Sequence, residues 1–253
     1  MLIILVGLVG LIFGSFLAAG IERLHLRDGR FWLGRSRCLS CHKILAARDL
    51  IPLVSFWLLK GRCRFCQIKI PRVTLVLEIL TSGVFILVAF FTRDLGILLW
   101  NLIFVTVLIF LAVYDFLYQE IPDEVSLPVI CLVFLSSWLT FTPTPWASFG
   151  GLILGGGFLA VLILVSQGRW FGGGDLRFAA LLGGALGPLG LLLAFFLASF
   201  SGTLVGLILI RLGRKKLNSQ IPFGPFLGFG GLIALLFGKQ FWNWYLLNFW
   251  VIT

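Results

Sequence analysis

The chain has 253 residues, of which 60% are hydrophobic and only 12% are charged, and its formal net charge is +10. A mean hydropathy of +1.08 and 26 phenylalanines against three tyrosines exclude an ordinary soluble domain. Apolar runs of about 17 to 25 residues instead predict a protein that crosses a membrane several times. The spans are predicted to be helices, because the strands of a membrane barrel alternate polar and apolar residues and these runs do not.

The apolar segments predict an all-α, polytopic membrane helical bundle with about eight transmembrane helices. Turn signals separate them, among them Arg93 with Asp94, the stretch TPTPW at 142–146, and Gly187 with Pro188. The first segment follows no Lys or Arg and is interpreted as a retained span, not a cleaved signal peptide. The predicted helices cover residues 2–20, 73–91, 95–113, 125–141, 147–166, 176–187, 189–210 and 226–250.

The distribution of charge predicts the orientation in the membrane. Residues 22–72 contain 12 of the 20 Lys and Arg and three acids, so this loop carries +9 of the net +10. The positive-inside rule makes the loop cytoplasmic. Counting the crossings then places the loops at 114–124, 167–175 and 211–225 on the same side. The net charge is therefore assigned to topology and anionic lipid, and no nucleic-acid partner is predicted.

Four cysteines of the basic loop form two CxxC pairs separated by 21 residues, namely Cys38, Cys41, Cys63 and Cys66. Each pair places two thiolates on one turn, and two such turns can close a tetrahedral Zn(II) site. Two disulfides or four unrelated buried thiols are the alternatives, and the reducing cytoplasm disfavours the disulfides. His42 can replace a cysteine ligand, although a solvated loop histidine is favoured. Cys131, inside a predicted span, is expected to be a small buried apolar side chain.

Two acids are predicted to lie at the cytoplasmic membrane boundary. Asp115 ends the third predicted helix, and Asp175 opens the sixth behind three glycines. Two carboxylates within hydrogen-bonding reach share a proton, so that one acts as base towards a water and the other as acid towards a carbonyl oxygen. Capping of a helix start is an equally good explanation for Asp175 alone. For Glu78, one turn inside its helix, we favour a structural role.

Several motifs resemble one family in the same chain order. The sequence GGGD at 172–175 fits the GxGD pattern of membrane aspartyl proteases, and DFLYQEIPD at 115–123 resembles the DxxxxxIPD segment of type IV prepilin peptidases. GSFLAAGIERL at 14–24, the four-cysteine loop and IPFGPFLGFG at 221–230 are similar to that family too. Three residues stand where the family commonly has Asn, Asn and Lys, namely Ala18, Leu50 and Arg177.

The resemblance implies an eight-helix enzyme of the bacterial inner membrane that removes the basic leader from prepilins or pilin-like pseudopilins. It implies Asp115 and Asp175 as the catalytic pair. Asp123 is given a supporting role next to the helix start after Pro122. The two glycines that flank the middle of the GGG run, Gly172 and Gly174, are expected to let the backbone pass close to a substrate strand. The resemblance also implies methylation of the new amino terminus with S-adenosylmethionine, which in the family accompanies the cysteine loop, and no binding residues are assigned.

These interpretations divide the chain into a first helix (1–21), a cytoplasmic zinc-binding loop (22–72) and a membrane-embedded peptidase core (73–253). Two alternatives stay open. A nonenzymatic scaffold or transporter with a zinc knuckle explains composition and cysteines, but not two acid motifs at one boundary. A presenilin-like intramembrane protease shares the chemistry, but it should carry a PAL segment where this chain reads FGPFL.

Overall fold

The computed structural model describes residues 2–26, 36–38, 40–139, 143–216 and 219–249. Parts of the predicted basic loop, of the turn TPTPW, and of the fourth and eighth predicted helices lie outside these residues. The helices are α1 (Leu2–His25), α2 (Val54–Leu58), α3 (Arg72–Phe91), α4 (Leu95–Tyr118), α5 (Asp123–Ser136), α6 (Pro145–Ser166), α7 (Gly173–Arg211) and α8 (Gly224–Phe249).

The predicted all-α membrane fold is confirmed. Each of the eight predicted segments overlaps a helix, the sixth and seventh sharing α7. Six helices of the described chain are long and apolar enough to cross a membrane, namely α1, α3, α4, α6, α7 and α8. The fourth predicted segment is α5, whose 14 residues fall short of the roughly 20 that a straight crossing needs. The chain divides into two compact units, residues 1–106 and 107–253, and α4 contributes to both.

In the first unit, α1 and α3 pack as an antiparallel pair whose backbones nearly touch. A Cβ at Gly10 would lie 2.7 Å from Ser82 Cα, and a Cβ at Gly14 would lie 2.6 Å from Glu78 Cα. The Ser82 hydroxyl also donates a hydrogen bond to the Gly7 carbonyl, at 2.9 Å. The long loop that joins these two helices therefore begins and ends on one tightly packed pair.

In the second unit, α7 contains the sixth and seventh predicted segments, joined by a single residue. Gly187 has φ 72° and ψ 177°, a conformation open essentially only to glycine, and Pro188 follows it. We call residues 173–186 the first arm of α7 and residues 188–211 its second arm. The predicted break at Gly187 and Pro188 is thus present as a reversal without a loop.

The contacts with α8 show that the two arms run in opposite directions. In the contact pairs Phe178–Gly228 and Leu182–Gly231 the residue numbers rise together, so the first arm runs parallel to α8. In the pairs Ala194–Gly230 and Gly202–Phe226 one number rises while the other falls, so the second arm runs antiparallel to α8. At the far end of α8, the Trp242 indole N–H donates to the Leu189 carbonyl at 2.9 Å. The start of the first arm and the start of α8 consequently lie at the same end of the unit.

Glycines bring α6 against the first arm. A Cβ at Gly151 would collide with the Gly183 carbonyl oxygen, and a Cβ at Gly155 would collide with the Ala179 carbonyl oxygen. The Ser148 hydroxyl adds a buried hydrogen bond to the Gly184 carbonyl, at 2.8 Å. Because these contacts are backbone to backbone, no rotamer change can make room for a side chain.

We expect Gly151→Ala to lower the thermal unfolding midpoint in detergent, because the added methyl forces the two backbones apart at a cost of about 1 to 3 kcal/mol. Gly157→Ala is the matched control on the same helix, since nothing lies within 4 Å of a Cβ there. The control should leave stability unchanged or raise it, by up to about 1 kcal/mol, through helix propensity. Equal midpoints for both variants would contradict the close approach.

Candidate active site and cysteine cluster

Asp115 lies in the last turn of α4 and is buried, with 7% of its surface exposed. Its Oδ2 atom accepts a hydrogen bond from the backbone N–H of Gly224, at 2.7 Å. Gly224 is the first residue of α8, so the positive end of that helix dipole faces the carboxylate. A buried acid that would otherwise lack a partner is thereby satisfied by a helix start.

Gly224 is a partner of Asp115 that the sequence did not reveal. A Cβ at this position would lie 2.6 Å from Asp115 Oδ2 and 2.8 Å from Asp115 Cβ. Any larger residue would therefore displace the carboxylate. The sequence signal that pointed to this position was the motif IPFGPFLGFG, in which Gly224 lies between Phe223 and Pro225. The motif resembled the family but did not indicate that Gly224 contacts Asp115.

Asp175 is the third residue of α7, at the start of the first arm. Its Oδ2 atom accepts a hydrogen bond from the backbone N–H of Gly172, at 3.1 Å. The helix-capping interaction that was one explanation for this acid is therefore present. Capping holds the Asp175 side chain at the helix start and leaves it partly accessible. A capping role is therefore compatible with a position in the candidate active site.

The fold brings the two acids to the same level. Ala112 lies three residues before Asp115 on α4, and Phe178 lies three residues after Asp175 on α7. Both approach Gly228 of α8, at 2.9 and 3.8 Å from the position that a Cβ on this glycine would take. The fold therefore places Asp115 and Asp175 at the same end of the second unit, whereas the approach of their carboxylates within hydrogen-bonding reach and their chemical role stay predictions.

The glycine run contacts the segment that follows Asp115. A Cβ at Gly174 would lie 3.1 Å from Ile121 Cβ, so this glycine lets α7 start against the DFLYQEIPD segment. Gly172 is exposed, and its N–H serves Asp175. These contacts do not test the prediction that Gly172 and Gly174 let the backbone pass close to a substrate strand.

Asp123 does not cap α5 with its side chain. Pro122 occupies the capping position, and Asp123 is the first helical residue. Its half-exposed carboxylate forms an ion pair with the Arg177 guanidinium, two residues beyond Asp175. This ion pair joins the start of α5 to the start of α7 beside the two acids.

The four loop cysteines converge in the first unit. Their sulfur atoms all lie within 4.8 Å of one another, and Cys38 Sγ is 3.6 Å from Cys66 Sγ. Ligands at about 2.3 Å around a tetrahedral zinc ion are spaced about 3.8 Å apart. An S–S bond is only about 2.05 Å long. The cluster therefore fits a metal ion, and its residues are Cys38, Cys41, Cys63 and Cys66.

The two CxxC turns have the same backbone design. The N–H of Cys38 donates to the Lys43 carbonyl at 3.0 Å, and the N–H of Cys63 donates to the Ile68 carbonyl at 2.9 Å. The residue after each pair has a positive φ, 55° at His42 and 59° at Gln67. His42 is thus a turn residue equivalent to Gln67. Among the described residues, the cluster consists of the cysteines without it.

One sulfur is already suited to metal binding by its surroundings. A hydrogen bond from the backbone at Cys41 lowers the pKa of the Cys38 thiol and so favours the thiolate, the form that ligates metals. Cys131 lies on α5 and takes no part in the cluster. The expectation that it is buried within the protein is wrong, since its side chain is exposed on the outer face of α5.

Two buried acids support the cysteine loop. Asp49 accepts hydrogen bonds from Arg64, with N–O distances of 2.8 and 2.6 Å, which ties the segment before α2 to the second CxxC turn. Glu78 on α3 accepts a hydrogen bond from the backbone N–H of Leu53, at 2.8 Å. The structural role favoured for Glu78 therefore has a defined partner, one that the sequence alone did not identify.

Comparison with known proteins covers both units. Residues 8–92 match the bacterial peptidase A24 N-terminal domain, and residues 102–207 match the type IV leader peptidase family. A prepilin leader peptidase/N-methyltransferase of Aeromonas hydrophila is 32% identical over 97% of this chain and 94% of its own length. The protein of the same name from Bacillus subtilis is 32% identical over 94% of this chain and 95% of its own.

A third relative, a type 4 prepilin-like proteins leader peptide-processing enzyme of Escherichia coli, is 32% identical over 80% of this chain and 76% of its own length. No solved structure matches the chain. The matched ranges cover nearly the whole sequence, and the segments with both acid motifs and the four-cysteine loop lie within them. The chain is therefore a multi-pass membrane peptidase that belongs to the type IV leader peptidase family.

Proposed function

We propose that this enzyme is an aspartyl endopeptidase that removes the basic leader from type IV prepilins or pilin-like pseudopilin precursors. The observation that carries the proposal is the placement of Asp115 and Asp175 at neighbouring helix ends, each held by a backbone N–H. The names of the relatives support the class of substrate. The side of cleavage is the cytoplasmic boundary, because the loop of +9 charge predicts that side as inside.

In the proposed reaction the two carboxylates share one proton and titrate as a unit. The ionised member removes a proton from a water, whose oxygen attacks the scissile carbonyl carbon, while the protonated member donates to the carbonyl oxygen. Collapse of the tetrahedral intermediate breaks the C–N bond, and the leaving amine takes up a proton from the dyad. Gly224 and Gly172 keep the two acids in place by their N–H groups throughout.

The position of the dyad suits the substrate. A prepilin consists of a basic leader followed by an apolar helix, so the lipid aligns the helix and holds the cut site at the membrane boundary. Glu120 and Glu124 are exposed beside the first acid motif and offer negative charge to the leader. Since Asp123 is already paired with Arg177, we assign it to positioning and not to leader binding.

We further propose that the enzyme methylates the new amino terminus with S-adenosylmethionine. Support comes from the four-cysteine loop and from relatives named as N-methyltransferases. The sequence carries no glycine-rich nucleotide fingerprint, so we assign no residues to the methyl donor and derive no step through it. For the cysteine cluster the spacing fits Zn(II), which would hold the two CxxC turns together as a structural ion.

Replacing either Asp115 or Asp175 by Asn is expected to reduce leader removal by at least about 100-fold, because each variant loses one partner of the acid–base pair. The measurement is the mass of a co-expressed prepilin before and after processing. With the unaltered enzyme the product should lose its leader and gain one methyl group. A mature product that is cleaved but carries a free amine would refute the methylation only.

Asp94→Asn is the matched control, since Asp94 lies at an exposed turn and its side chain accepts a hydrogen bond from the backbone N–H of Ile97, at 2.9 Å. It should process the prepilin normally. Undiminished processing by both Asp115→Asn and Asp175→Asn would overturn the aspartyl mechanism and favour the scaffold or transporter alternative.

Loss of the Asp123–Arg177 ion pair is expected to lower kcat by about ten- to a hundredfold with little change in KM, because the start of α7 shifts Asp175. Stability should change by less than about 1 kcal/mol, as for other exposed pairs. Arg177→Gln and Asp123→Asn should have equal effects, and the double variant should be no worse than either. There are two controls. Arg177→Lys keeps a positive charge at this position, and Arg93→Gln removes one at an exposed turn. Strictly additive losses would show that the two residues act separately.

Purified protein is expected to contain about one zinc ion per chain, bound by the four loop cysteines. Elemental analysis in detergent should find the metal lost in Cys38→Ser and retained in Cys131→Ser, which removes the cysteine outside the cluster. Wild-type protein without metal would count against the site.

A further inference from the structure

The cysteine loop contains a short apolar surface that no other part of the described chain covers. Between the two CxxC turns, Trp57 and Leu58 are 79% and 77% exposed, and Val54 and Ile51 are 50% and 47% exposed. We call these four residues the apolar ridge. Three lie on or beside one turn of α2, and a contiguous exposed apolar patch of this kind marks a surface that meets a partner or a membrane.

The depth of the ridge is fixed by its hydrogen bond to α3. The N–H of Leu53, within the ridge segment, donates to the Glu78 carboxylate at 2.8 Å. Glu78 lies six residues after Arg72, the first residue of α3, which corresponds to about 9 Å along the helix axis. The 20 residues of α3 span about 30 Å, close to the thickness of the hydrocarbon core. Leu53 is therefore level with the first turns of a membrane helix, not out in the aqueous phase.

The charges around the ridge fit the lipid surface. Exposed basic residues stand on both sides of it in the sequence, with Arg48 before it and Lys60 and Arg62 after it. Arg64 is compensated by Asp49, but these three have no such partner among the described ion pairs. Tryptophan favours the boundary between headgroups and acyl chains, and basic residues near an anionic membrane surface are attracted to it.

We propose that residues 50–58 form an interfacial anchor that inserts the apolar ridge into the headgroup–acyl boundary of the leaflet from which α1 and α3 emerge. Its partner is a bilayer surface containing anionic phospholipid. Insertion of this type buries an apolar face about 5 to 10 Å deep, which agrees with the depth set by Glu78. The four-cysteine cluster is consequently held against the membrane and does not extend into the cytoplasm.

The test places a photo-crosslinking benzoylphenylalanine at Trp57, and separately at Leu58, in the full chain reconstituted into liposomes of phosphatidylcholine with phosphatidylglycerol. The matched control carries the same amino acid at Gln67, an exposed residue of the second CxxC turn. After irradiation, mass spectrometry should find lipid adducts at 57 and 58 several-fold above those at 67. Omitting phosphatidylglycerol should reduce the yield at 57 and 58.

Equal adduct yields at 57, 58 and 67 would overturn the anchor, as would crosslinks from 57 and 58 to a second copy of the chain or to a co-reconstituted prepilin in place of lipid. Metal content of each variant, measured beside wild type, shows whether the loop has kept its fold. The readout uses no peptidase activity, so its result is independent of the proposed function.

Discussion

The hydrogen bond from the Gly224 N–H to Asp115 is the contact on which the second unit is organised. A carboxylate buried among apolar helices must find a donor, because leaving it unpaired costs several kcal/mol. The donor here is the start of α8, which requires that the start of α8 and the end of α4 meet. Glycines 224, 228 and 231 make this possible, since each lies where a side chain would collide with α4 or with the first arm of α7. Close packing and the position of the acid are therefore one constraint.

The first unit solves the same problem with different residues. Glu78 is buried on a membrane helix and accepts a backbone N–H from the loop, and Asp49 is buried under the cysteine turns and accepts from Arg64. In the first unit Glu78 joins the loop to a helix and Asp49 joins two parts of the loop, and in the second unit Asp115 joins two helices. These three buried acids, in a sequence where acids are scarce, thus connect segments that are distant along the chain.

Much of this architecture was predictable, and the reason is physical. The length of the apolar runs, the CxxC spacing and the positions of Asp115 and Asp175 at segment ends are local patterns that survive folding unchanged. The partners of Asp115, Glu78 and Asp123 were not predictable, because each depends on which residue a distant segment brings within 3 Å. Cys131 was misjudged for a related reason: an apolar helix in a membrane protein can expose its side chains to lipid, so hydrophobicity does not report burial.

The single-residue reversal at Gly187 has a consequence for the bilayer. The first arm, from residue 173 to residue 186, has 14 residues and rises only about 21 Å, whereas the hydrocarbon core is about 30 Å thick. Because of this length, the two ends of the first arm cannot both reach the boundaries of an undeformed membrane. Asp175 stands at one of those ends. The shortness of the first arm therefore limits how deep in the membrane Asp175 can lie, and with it the depth at which the proposed cleavage would have to occur.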